Sequence, residues 1–211
     1  MRLDLNNGTS QIEFFEDQKS ITTDQLVNVG REDMSFFIYN DHFGIWEFHS
    51  VAVYELAITV FLGVIRTSLV TMIFIPHWSA IFFIFPTISS AFVDLMGVLY
   101  LAGISINPIT YLFLVSSVGL MVDYLIHIQV QFYESKRFTR DDKAKDTLRT
   151  MGSSVLLGGL STFFGILPLV FSISTPFYIL SVTFISLAII SLVYGLSLLP
   201  VIFSIFAPEL S

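Results

Sequence analysis

From Met151 to Pro208 the chain carries no Lys, Arg, Asp or Glu. Soluble domains hold about 25% charged residues, so a run of this length without charge points to a bilayer as its solvent. A spanning helix needs roughly 20 mostly apolar residues, and this run has room for two. The deficit recurs upstream. Between Ala57 and Tyr133 the only charged residues are Arg66, Asp94 and Asp123. Over the 211 residues only 13% are charged, 54% are hydrophobic and 22 are Phe. The expected fold is therefore an all-α membrane protein with five transmembrane helices and a short, mixed extramembrane N-terminal tail. The net charge of −7 is local, since eight of the 17 acids precede His42.

Residues 1–40 are expected to be the end of an extramembrane domain. Segments 11–16 and 35–39 have strand-like aromatic and β-branched content. Met1 to Ser10 lacks the apolar core of a signal peptide, so the chain reads as a piece of a longer protein. Alternating aromatic and charged residues over 41–55 suggest an interfacial helix. The spans are expected at about 56–75, 79–101, 108–130, 152–171 and 177–206, with 207–211 as the C-terminal tail. Asn107-Pro108 is a helix start, Asn as cap and Pro at the first helical position. Pro86 is expected to kink the second span. Thr139 and Asp142 fit a capping box ahead of a short surface helix.

The segment 134–149 holds Lys136, Arg137, Arg140, Lys143, Lys145 and Arg149, six of the ten basic residues. The positive-inside rule places it in the cytosol. Counting spans then puts the N-terminus on the luminal or extracellular face and the C-terminus in the cytosol. The triplet Asn7-Gly8-Thr9 matches a glycosylation acceptor on that outer side. The membrane, plasma or internal, is not fixed by the residues. Cysteine is absent, which removes disulfides and thiolate metal sites. No cofactor, metal or nucleic acid is expected.

An ionisable side chain at mid-span costs about 3 kcal/mol on insertion scales, so Arg66, Asp94 and Asp123 each need a reason. Ser116, Gly119, Asp123, His127 and Gln131 recur at helical spacing and form one polar face. His127 lies one turn from Asp123, and Gly119 leaves open space one turn above. This face is either a proton or cation site that powers movement, or a buried pair that orders the bundle. Arg66 and Asp94 are candidates for an intramembrane ion pair. Ser154, Gly158 and Thr162, and likewise Ser161 and Gly165, follow small-xxx-small spacing and are expected to form a helix-packing face.

The run Gly119-Leu-Met-Val-Asp123-Tyr-Leu-Ile-His127 resembles the GxxxD segment of the resistance–nodulation–division superfamily, and within it the Patched, Dispatched and Niemann–Pick type C branch. Ile45-Trp-Glu47, Leu69-Val-Thr-Met72, Trp78-Ser79, Gly103-Ile-Ser-Ile-Asn107, Met151-Gly-Ser-Ser-Val155 and Leu199-Pro200 match in the same order, so the resemblance covers about 36–209. It implies a C-terminal five-helix unit, the pseudo-repeat of a sterol-sensing domain, in a transporter of two six-helix halves. It implies sterol or lipid cargo, the lipid bilayer and the missing N-terminal half as partners, and proton or cation coupling through Asp123 and Gly119, with His127 beside them. An alternative is a sterol-binding regulatory module without transport. A remote one is an intramembrane aspartyl protease using Asp94 and Asp123; no enzyme is expected.

Overall fold

The computed structural model describes residues 8–23, 43–75 and 77–207. The described residues form helices and connecting turns, and no strand occurs among them. The segment 11–16 is thus not a strand. It lies in helix α1 (Gly8–Thr23), because its aromatic side chains find partners on the next helix. Phe15 meets Phe43 edge-on at 5.5 Å, and Phe14 meets Trp46 at 5.9 Å. The second segment read as strand-like, 35–39, lies outside the described residues.

Five helices are long and apolar enough to cross a membrane. The first is α2 (Phe43–Phe74), which joins the expected interfacial helix and first span in one unbroken rod. Next comes α3 (Trp78–Leu101), which remains helical through Pro86. Gly103, with φ of +70°, then ends the helix by donating to Tyr100 O, while Ile104 N donates to Leu99 O. That left-handed conformation is one glycine adopts without steric cost. The third span is α4 (Pro108–Glu134), opened as expected by Asn107, whose side chain accepts from Ile109 N and Thr110 N.

Helix α5 (Arg140–Ile166) carries the basic segment and the fourth span continuously. Thr139 caps it, accepting from Asp142 N at 3.2 Å. A 3-10 turn, Leu167–Phe171, closes it. The last span is α6 (Thr175–Val193), a π-helical turn at Tyr194–Leu198, and α7 (Leu199–Phe206). The π-turn has a local cause. Pro200 has no N–H and its ring collides with the carbonyl four residues back, so the helix widens just before it.

Helix α4 is central and touches each of the other four spans. Its buried residues Leu114, Met121, Leu125 and Ile128 interlock with Ile84, Ile88 and Leu95 of α3, and with Leu187, Leu199 and Phe203 of the last span. Between helices in lipid, van der Waals fit replaces the hydrophobic effect as the main attraction. Stacked rings show that fit at one end, where Phe132 and Phe203 lie 4.5 Å apart. Gln129 is fully buried there and donates from Nε2 to Ala80 O at 2.6 Å, pinning α4 to the start of α3.

Candidate functional site

Two residues on consecutive turns of α4 form the centre of the site. His127 Nε2 stands 3.5 Å from Asp123 Oδ1, and their side chains are 58% and 73% exposed. The polar face expected from helical spacing is therefore real in geometry, but it points out of the bundle rather than into it. At Gly119, no atom lies within 4 Å of where a Cβ would stand. Ser116, one turn higher, is also exposed and donates to Leu112 O within its own helix.

Helix α5 lines the other side of the site. Asp123, Tyr124, His127, Met151, Ser154, Val155 and Gly158 enclose a cleft of about 330 Å³ between α4 and α5. Across it, the Tyr124 hydroxyl lies 2.7 Å from Thr162 Oγ1 and 3.3 Å from Gly158 O. Thr162 Oγ1 itself donates to Gly158 O at 3.0 Å. A carboxylate, an imidazole and a hydroxyl thus share one notch, a set suited to holding a proton or a small cation.

The small residues of α5 divide between two faces. Gly158 and Thr162 meet Tyr124, and Ser154 lines the cleft, whereas Gly165 has open space around it. The close approach to α6 is made by Gly159, one position round the helix. A Cβ there would come within 2.7 Å of three atoms of Leu192. Only 11% of the apolar window of α5 is buried, against 39% for α4. The fourth span is therefore the one most open to a neighbour.

Arg66 and Asp94 do not pair. Asp94 instead accepts a hydrogen bond from the Tyr194 hydroxyl at 2.6 Å, between α3 and the π-turn. Arg66 is exposed on α2. It lies two helical turns on from Thr59, whose hydroxyl meets that of Tyr111 on α4 at 3.0 Å. Arg66 thus shares a face of α2 with Thr59. Asp94 is bonded to Tyr194 of the last span, whereas Asp123 stands beside His127 on its own helix. Of the remaining histidines, His77 stacks on Tyr133 and its Nδ1 lies 3.1 Å from Ser79 Oγ. His49 Nδ1 lies 2.6 Å from Ile45 O. His42 and Asn7 lie outside the described residues. The residues missed in the sequence are Tyr124 and Tyr194, since a tyrosine on an apolar helix carries no signal of which neighbour its hydroxyl will reach.

No family model matches the chain. Individual relatives do. It is 35% identical over 127 residues to NPC intracellular cholesterol transporter 1 of Sus scrofa, a match covering 59% of this chain and 10% of that protein. It is 38% identical over 115 residues to a Niemann-Pick type C1-related protein of Plasmodium falciparum, covering 54% and 8%. It is 33% identical over 120 residues to protein patched homolog 1 of Caenorhabditis elegans, covering 55% and 8%. The chain therefore spans about a tenth of the length of these relatives.

Proposed function

We propose that this chain, which belongs to the Patched and Niemann–Pick C1 branch of the resistance–nodulation–division superfamily, is the C-terminal five-helix unit of a transporter that moves sterols or other lipids. The observation that carries this reading is the exposure of Asp123. A carboxylate near the middle of a spanning helix, 73% exposed in the isolated bundle, cannot rest against hydrocarbon at tolerable cost. Its face needs a second polar surface or a water-lined passage. A first six-helix half, packed against α2, α4 and α5, supplies both. Asp123, with His127 and the open space at Gly119, then binds the proton or cation whose movement drives the cycle.

The basic segment 134–149 supports the orientation. The basic start of α5 lies in the cytosol, the N-terminus is luminal or extracellular, and the C-terminus is cytosolic.

The test is Asp123→Asn in a full-length context, with lipid efflux measured while a proton or sodium gradient is imposed. The expected result is efflux that no longer responds to the gradient. Unchanged gradient dependence sinks the coupling role. Sterol binding with no efflux under any gradient would favour the regulatory module.

A further inference from the structure

Tyr124 follows Asp123 in the sequence but faces a different helix. One residue advances the helix by about 100°, which turns Asp123 toward the open face and Tyr124 toward α5. The tyrosine ring lies over Gly158, where an added Cβ would stand 3.7 Å from Cε1. Its hydroxyl reaches Thr162 at 2.7 Å, one turn beyond Gly158. The Thr162 hydroxyl is in turn tied to Gly158 O. The ring thus fits against a residue without a side chain, and its polar end is held where that absence leads. Only a small residue at 158 and a hydroxyl at 162 make this contact. The contact forms one wall of the 330 Å³ cleft that Asp123 and His127 share with Ser154.

We infer that Tyr124 is a positioning residue for the Asp123–His127 site. Its bond to Thr162 straps α5 to α4 and fixes the width of the cleft that the pair lines. The inference rests on the coupling role proposed above for Asp123. The groups around that pair are few. Helix α4 supplies Asp123, His127 and Tyr124, and α5 supplies Met151, Ser154, Val155 and Gly158, none of them charged. Helix α2, which packs on α4, carries Arg66 and, nearer its start, Glu47, His49 and Glu55. Asp94 is held by Tyr194 at the contact of α3 with the π-turn. No charged group other than that pair lines the cleft. The strap ties α4 to α5, the most uncovered of the five spans.

The chain has no cysteine, so a single introduced thiol reports without background. Ser154→Cys places it in the cleft. Phe138→Cys, at a site 96% exposed, serves as the reference for the intrinsic pH dependence of a thiol. The measurement is the ratio of their modification rates by a small water-soluble methanethiosulfonate, on the full chain in nanodiscs, from about pH 5 to 8 where histidine titrates.

With the strap intact, the ratio should change through this range. Tyr124→Phe and Thr162→Val should each displace or flatten that profile, and the double variant should match the singles. Thr162→Ser, which keeps the hydroxyl, should restore the parent profile. If Tyr124→Phe and Thr162→Val leave the profile superimposable on the parent while Asp123→Asn abolishes it, the strap is overturned and the coupling site stands. If Asp123→Asn itself leaves the profile unchanged, the coupling reading fails and the inference falls with it.

Discussion

Asp94 and Asp123 are the same residue type in equally apolar helices, and their neighbours separate them. Asp123 has an imidazole one turn away and an open cleft. Asp94 has a phenol hydroxyl at 2.6 Å. Asp94 is therefore held by a hydrogen bond from a phenol and not by an ion pair with Arg66. Tyr194→Phe removes the donor and keeps the ring. Hydrogen bonds between transmembrane helices contribute about 0.6 kcal/mol on average and about 1.7 at most. The variant should lose roughly 1 kcal/mol in equilibrium unfolding by SDS, and an unchanged midpoint would show that the bond contributes nothing in the membrane. The Asp123–His127 pair was legible because a spacing of four always shares a face. The Asp94–Tyr194 bond was not, because it joins residues a hundred positions apart. The π-turn also shifts every side-chain direction after Tyr194 relative to an ideal helix.

At the scale of elements, apolar length located the five spans, and side-chain oxygens at Asn107 and Thr139 marked helix starts that the structure retains. Two things stayed hidden. Strand-like content over 11–16 gave way to helix, because Phe14 and Phe15 gain ring partners on α2, and tertiary contact overrides local propensity. Small-residue spacing on α5 also could not tell which stripe meets which helix. Gly159, outside the expected stripe, is where α6 comes closest. A paired substitution checks this. Gly159→Val drives a side chain into Leu192 and should cost about 1–3 kcal/mol, as overpacking does. Gly165→Val, where nothing lies within 4 Å, should leave stability within about 0.5 kcal/mol. Thermal unfolding in one detergent compares the two, and equal losses would contradict the assigned packing face.

For the molecule as a whole, the uneven distribution of polarity sets both orientation and partnership. The proposed luminal or extracellular N-terminus makes Asn7-Gly8-Thr9 accessible to glycosylation. Expressed in a eukaryotic host, the chain should migrate as a heavier species that collapses on endoglycosidase treatment and is absent in Asn7→Gln. A chain left unmodified at Asn7, yet modified at an acceptor added after Ser211, has the opposite orientation. The five-span count and the GxxxD face were readable from the residues alone. That this face is uncovered, rather than closed within the bundle, required the packing of α4 against its four neighbours.

Helix α2 runs unbroken for 32 residues, about 48 Å at 1.5 Å per residue. The hydrocarbon core is only about 30 Å thick, so one end projects well beyond it. There α1 grips it through Phe43 and Trp46. Such a rod is a lever. Turning its projecting end by about 5° carries the opposite end through about 4 Å, for a rod of this length. Thr59 and Gly63 ride on it against Tyr111 and Val118 of α4. Mechanical strain applied outside the membrane thus has a direct route to the central helix, with no loop in between to absorb it.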